Sequence, residues 1–432
     1  MKKIREISTK KLIKKSFLLG KKLFPICRSI TGKGTLKTLK ILKTHLKPLK
    51  IKKIKSGTKI FDWKVPDEWN IDDAYILDKN NKKIIDFKKN NLHIVNYSRP
   101  TNLRLDRDEL LKKIYTLKKI PNAIPYVTSY YHKHWGFCET YINKKKIKKE
   151  YLPSDKFKVH IDTSFKKNGY MNYGEFLIKG LKKEEILIST YVCHPSMANN
   201  ELSGPLVSIA LANYFKKRKP YYGIRFLFLP ETIGSIAYIN KNLKNLKKKI
   251  IGGYVLTCVG DNRAYSYQFT KYMNSISDIA AVEAFKKAKI KYRSYTFLKR
   301  GSDERQYNSP GVDLKIGSIM RSKPGTYKEY HTSLDNFNII NIEGLTGGFN
   351  ISKLSIENIL KMKNLKFLKR EKNNKKGPMT SVICEPHLSK RNLYRKMNFI
   401  KEKNKNRKYL DFLQYSDGSN TLVEISKYIN CT

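Results

Sequence analysis

Between residues 157 and 360 short apolar runs alternate with helical stretches, and this alternation constrains the fold more than any other feature. KVHIDTSF, YGEFLIKGL, EEILISTYVCHP, YGIRFLFLPET, KIIGGYVLTCVGD and DLKIGSIM read as buried or half-buried strands. GPLVSIALANYFKKR and SISDIAAVEAFKKAKI, lying between such runs, read as helices. Alternation of this kind builds a mostly parallel mixed sheet with helices on both faces, a three-layer α/β core. Ligands of such sheets collect at the carboxyl ends of the strands.

Outside that region the pattern changes. Residues 1–50 have helical periodicity, with a turn at Thr31-Gly32-Lys33-Gly34 before a second helix. From about 55 to 150, VPDEWNIDDAYILD, NNLHIVNYS and NAIPYVTSYYHKHWGFCETY alternate polar and apolar residues between turn formers, the mark of a small, mostly antiparallel β domain. The expected division is an α/β domain over 1–52 and 156–365, an inserted β domain over 53–155, and a tail over 380–432.

The chain of 432 residues is 40 % apolar and 12 % aromatic, which excludes a disordered protein. It has no unbroken apolar run of about 18 residues. The basic N-terminus lacks a signal peptide's apolar stretch, so the expectation is a cytoplasmic protein with no membrane span. Six cysteines lie far apart without a CxxC pair and read as reduced thiols. The net charge of +53 points first to nucleic acid or an anionic surface. Only 16 of the 89 basic residues are Arg, however, and the Lys is spread along the whole chain among Ile and Asn. That pattern suits solvated faces better than a nucleic-acid groove, and leaves an acidic ligand open.

Several strand-like runs end on residues that a core does not need. EEILISTYVC is followed by His194, GIRFLFLP by Glu231, and YVLTCVG by Asp261. Beyond them come GSDERQY, with Asp303 and Glu304, and EYHTSLDN, with His331 and Asp335. On parallel neighbouring strands these share one sheet edge, where imidazoles and carboxylates make zinc chemistry: two or three protein ligands, an open position, and a carboxylate to take a proton. Each residue also has a structural alternative. The structural alternatives are a satisfied strand-end group for His194, a helix cap for Glu231, an Asx-turn residue before Asn262 for Asp261, and a surface loop residue for His331.

The order of these segments resembles the zinc aminopeptidase superfamily with a phosphorylase/hydrolase-like core. There a strand ends on histidine, an Asp-Asn-x-Ser-Gly loop follows, a strand ends on paired glutamates, an Asp-Met-x-Gly segment comes next, and a histidine lies in a His-Thr-x-x-Asp setting. The counterparts here are His194, Asn200-Glu201-Leu202-Ser203-Gly204, Pro230-Glu231-Thr232, Thr257-Cys258-Val259-Gly260, and His331-Thr332 with Asp335. More closely, ICRSITGKGTLKTL, VPDEWNI, YVTSYYHKHWGFC, CHPSMANNELSGP, PETIGSIAYI, GSDERQYNSPGVDL and YHTSLDNF are similar to a bacterial aminopeptidase-like family known as a domain of unknown function. That resemblance covers nearly the whole chain. It implies an inserted β domain, a C-terminal winged helix, and a role near surface-polysaccharide metabolism.

The chain departs from the dinuclear pattern. Asn200 stands where the superfamily's bridging aspartate would be, Thr232 replaces the second glutamate, and Thr257 or Cys258 replaces a third acidic ligand. The resemblance therefore implies one zinc ion, held by His194, His331 and the Asn200 side-chain oxygen, with Asp261 or Asp303 as substitute carboxylate. Glu231 becomes the general base. Arg28, Glu304 and Tyr307 are candidates for substrate contact, Arg28 toward a carboxylate or phosphate. YLDFLQYSDGSNTLVEISKYI resembles the start of a winged helix, a strand-like segment and a helix capped at Ser419 or Asn420, shortened before a recognition helix. The expected function is hydrolysis of an amide in a small peptide or amino-acylated sugar. A catalytically silent metal-binding scaffold and a nucleic-acid-binding regulator stand as alternatives, and homo-oligomerisation is open.

Overall fold

The computed structural model describes residues 2–364, 377–393 and 407–431, with side chains from residue 9 onward. Its main sheet has eight strands: β1 (Lys50–Lys55), β2 (Tyr170–Ile178), β3 (Glu185–Tyr191), β4 (Gly223–Leu229), β5 (Ile250–Leu256), β6 (Ser266–Gln268), β7 (Arg293–Tyr295) and β8 (Ile316–Met320), in the order β1-β2-β4-β3-β5-β8-β6-β7. The central run β4-β3-β5-β8 is parallel, and antiparallel pairs flank it. Strands buried on both faces are mostly apolar, as β3 and β4 are, and the polar groups they carry are paired: Ser189 with Tyr307, Thr190 with the Leu256 carbonyl, and Arg225 with Glu185.

Alternate residues separate into two cores. Ile186, Ile188, Phe226 and Phe228 pack toward a layer that includes helices Ser203–Phe215, Ile276–Lys287 and Ile342–Lys361. Leu187, Leu227 and Leu229 pack toward the helix Ile233–Lys249. The three-layer expectation holds.

The insertion is larger than expected. Lys156–Lys166 pairs antiparallel with Glu68–Leu77 and with Thr101–Asp106 in a separate four-stranded sheet. KVHIDTSF therefore belongs to the inserted unit, which extends to about residue 166, and not to the α/β core. Its burial alternates strictly at first, the mark of a sheet with one wet face, whereas the central strands β3, β4 and β8 are buried throughout.

The tail also differs from expectation. YLDFLQY lies within a helix, Arg407–Tyr415, not a strand, because Leu410, Gln414 and Tyr415 share its buried face. The next helix, Leu422–Tyr428, is capped by Thr421 in a capping box with Glu424, one residue beyond the expected cap. This tail docks on the core through Arg300–Asp411 at 2.6 Å and Lys271–Asp417 at 2.9 Å. Among the described residues no helix is long and apolar enough to cross a membrane.

Candidate metal centre

The strand β3 stops at Tyr191 and delivers His194 to a buried position three residues on. The loop after it returns as a tight turn over Ala198–Leu202 and enters a helix at Ser203-Gly204. Gly204 is required there, since a Cβ would sit 2.3 Å from the Leu256 carbonyl oxygen and from Thr190 Oγ1. Asp335 holds the turn from outside. Its carboxylate accepts from the backbone amides of Ala198, Asn199 and Asn200 and from the Tyr327 hydroxyl.

Asn200 is fixed by its amide nitrogen, which donates to Tyr191 Oη at 2.8 Å and approaches Cys258 Sγ at 3.8 Å. Its Oδ1 is buried and unpartnered. His331 lies beside this loop with its ring centroid 5.5 Å from that of His194, and its Nε2 is likewise buried without a partner. Burial drives the His194 pKa well below its ordinary value and the His331 pKa down to about 3, so both imidazoles are neutral at neutral pH and can act as metal ligands. Glu231 follows the end of β4, its Oε2 lying 3.5 Å from His194 Nε2. Ser302 Oγ donates to Glu231 Oε1 at 2.8 Å. Burial raises the Glu231 carboxyl well above the usual carboxylate range, and the neighbouring Asp303 adds to the rise.

The structure brings His194, Asn200, His331 and Glu231 together, and places the other candidates as follows. Asp261 is committed elsewhere: its two oxygens accept from Asn199 Nδ2, from the amide and hydroxyl of Ser322, and from the Arg263 amide. The last of these is an Asx turn, the structural alternative. Asp303 sits beside Glu231, with Oδ1 bonded to the Thr232 amide and Ser235 hydroxyl and Oδ2 buried without a partner. Glu304 and Tyr307 are fully buried and occupied, against the expectation of substrate contact. Glu304 accepts from the Gly301 and Ser302 amides and from Ser318 Oγ, while Tyr307 bonds Ser189 Oγ. Arg28 is buried too, donating to the carbonyls of His194 and Leu23 and pairing with Glu201 at 3.5 Å.

Two donor sets fit a cation in this region. Neutral imidazoles and an amide oxygen at His194, His331 and Asn200 suit one borderline divalent ion such as zinc, and His331 Nε2 and Asn200 Oδ1 are buried without a partner, while His194 Nδ1 lies 3.4 Å from Glu201 Oε2. Donor atoms of Cys193, His194 and Glu201 also lie within 4.8 Å of one another. There, burial raises the Cys193 thiol pKa well above its usual value and pushes the Glu201 carboxyl up to about 8 against the pull of Arg28, so both groups hold their protons and the first set is the better one. Cys258 offers no anion either, since burial pushes its thiol up to about 12.

Two contributors were not legible in the sequence. The Tyr126 ring, from the inserted unit, packs edge-on against both His194 at 5.1 Å and His331 at 5.3 Å. Arg305 donates to Thr232 Oγ1 beside Glu231. Thr232 and His331 both hold left-handed backbone angles, φ 62° and 56°, an uncommon conformation that concentrates at functional sites.

Residues 17–362 match a family described as a domain of unknown function, DUF4910. The chain belongs to this family. Residues 378–432 of this DUF4910 member match a winged helix-turn-helix family. It is 41 % identical over 412 residues to a Clostridium acetobutylicum protein provisionally named a polysaccharide biosynthesis protein with aminopeptidase-like domain, covering 94 % of this chain and 89 % of that one. A crystal structure from Clostridium acetobutylicum, provisionally called a peptidase, superposes with TM-score 0.78 at 38 % identity, over 100 % of this chain and 95 % of that one. The zinc aminopeptidase of Bacillus subtilis superposes with TM-score 0.60 at 14 % identity, over 81 % and 94 %. The DUF4910 core thus has the aminopeptidase fold.

Proposed function

We propose that the chain is a zinc-dependent hydrolase of aminopeptidase type, holding one ion and cleaving an amide of a small peptide or an amino-acylated sugar. The observation that supports this reading is the pair of buried, neutral imidazoles, with His331 Nε2 unpartnered and His194 Nε2 3.5 Å from Glu231, a carboxylate of raised proton affinity. When bound, the cation supplies a Lewis acid next to the substrate carbonyl.

The protein's own groups do the rest. Ser302 holds Glu231 Oε1, which leaves Oε2 to take a proton from the attacking water and return it to the leaving amine. Asp303 keeps the proton affinity of Glu231 high, which favours that second transfer. Tyr126 covers the two imidazoles and limits water there. The name given to the Clostridium acetobutylicum relative supports a sugar-linked substrate.

A silent metal-binding scaffold is the second reading, favoured by the amide at Asn200 and the hydroxyl at Thr232 in places that the dinuclear enzymes fill with carboxylates. Competitive zinc titration together with release of amine from aminoacyl arylamides and aminoacyl sugars separates the two. Zinc binding with amide cleavage supports the hydrolase; binding with no cleavage of any substrate supports the scaffold.

A further inference from the structure

A cavity of about 430 Å³ lies within the inserted unit, lined entirely by residues between Lys64 and Phe165. Aromatic rings form much of its wall: Tyr97, Tyr130, Tyr131 and Phe165. Tyr97 meets Tyr130 edge-on at 5.3 Å and Phe165 at 6.1 Å, so these rings brace one another. The tyrosine hydroxyls are tied back into the protein. Tyr97 Oη bonds Thr31 Oγ1, Tyr131 Oη donates to the Lys64 carbonyl at 2.7 Å, and Tyr130 Oη meets Tyr126 Oη at 2.9 Å. With their polar ends engaged, the rings offer the cavity rigid apolar surface, which binds without a large ordering cost. The rim carries Lys64, Arg99 and Lys133 against the single carboxylate Asp67. Tyr130 touches the same Tyr126 whose ring packs on His194 and His331, so the cavity begins one side chain from the metal centre.

We propose that this cavity is the subsite for an acidic sugar, a pyranose bearing a carboxylate or a phosphate. This deepens the proposed function and rests on it only for the link to amide cleavage. A pyranose has one face of axial C–H groups that lies against an aromatic ring, hydroxyls at its edge, and here an anionic group. The ring wall takes the first, Asp67 accepts from hydroxyls, and the three cations hold the anion. A neutral peptide leaves the cations unused. An aryl carboxylate gives Asp67 nothing to accept from, and an amino acid's ammonium meets three like charges.

The test uses the full chain stripped of metal by chelation, so that hydrolysis plays no part. Glucuronate, glucose 6-phosphate, glucose and phenylacetate are titrated by saturation-transfer NMR. At least one acidic sugar should bind about tenfold tighter than glucose, the effect of one charge-assisted hydrogen bond, and should weaken as salt rises. Arg99→Ala and Lys133→Ala change exposed residues and should each remove much of that preference, while Tyr131→Ala should weaken both acidic and neutral sugars. Preference for carboxylate or phosphate tells the two sources apart. The proposal is overturned if neither acidic sugar binds, if binding ignores all three substitutions, or if phenylacetate binds tighter than both sugars. Sugar binding that persists beside a fully active Glu231→Gln protein sinks the catalytic reading and leaves this one standing. Hydrolysis without sugar binding does the reverse.

Discussion

Arg305 Nη2 donates to the Thr232 hydroxyl at 2.6 Å, so a guanidinium stands at the residue that the sequence resemblance sets against a glutamate ligand of the dinuclear zinc aminopeptidases. A fixed positive charge beside a neutral hydroxyl disfavours a second cation there. The chain should bind no more than one divalent metal tightly. Elemental analysis after exhaustive dialysis checks this, and two zinc ions per chain would refute it.

Glu231→Gln should preserve fold and zinc content while lowering turnover by at least about 100-fold, the lower end of general-base contributions. The amide still accepts from Ser302 Oγ but cannot take a proton. Unchanged turnover removes Glu231 from the mechanism. Loss of fold in circular dichroism would instead assign it a structural role.

Asn200→Asp should tighten zinc binding by at least about tenfold, comparable with changes in groups around metal ligands. It replaces the unpartnered Oδ1 with an anionic oxygen facing the same space. It also removes the Nδ2 donor to Tyr191, so thermal stability should be recorded alongside. Equal affinity in a competitive zinc titration means that residue 200 does not face the ion.

Zinc binding at pH 7 should release a proton. Burial and Asp303 hold the Glu231 carboxyl above the usual range, so it carries its proton more readily than a free carboxylate, and an arriving cation favours the charged form. His194 and His331 are already neutral and release none. Calorimetry in buffers of different ionisation enthalpy measures the number. A value of zero contradicts the raised affinity of Glu231.

His387 stacks on Trp63 with ring centroids 4.0 Å apart, joining the tail to the inserted unit. Burial lowers its pKa from 6.5 to about 4, and Lys390 and Arg391 press the same way against Asp62. Between those values the unfolded chain binds more protons than the folded one. Stability from this contact is therefore complete above pH 6.5 and falls as pH drops toward 4. His387→Phe keeps a ring on Trp63 and should flatten the dependence of melting temperature on pH across that window; an unchanged slope assigns the dependence elsewhere.

The layered core was legible because its cause is local. A strand buried on both faces is mostly apolar, and EEILISTYVC and GIRFLFLP show this without any knowledge of their neighbours, although Ser189, Thr190 and the Arg225–Glu185 pair are polar groups that find partners in the core. The residues that stop those strands were legible for the same reason, since His194 and Glu231 interrupt apolar runs that have no need of them. Which side chains face the centre was decided by tertiary structure. Asp261 and Asn200 both follow buried segments, yet Asp261 closes an Asx turn with Arg263 and binds Ser322, while Asn200 keeps an oxygen free because Tyr191 and Cys258 engage its nitrogen. Tyr126, Arg305 and the strand Lys156–Lys166 found their roles only through partners far away in sequence. Periodicity reports how one segment meets water or core; convergence of side chains depends on distances between segments, and no single segment records those.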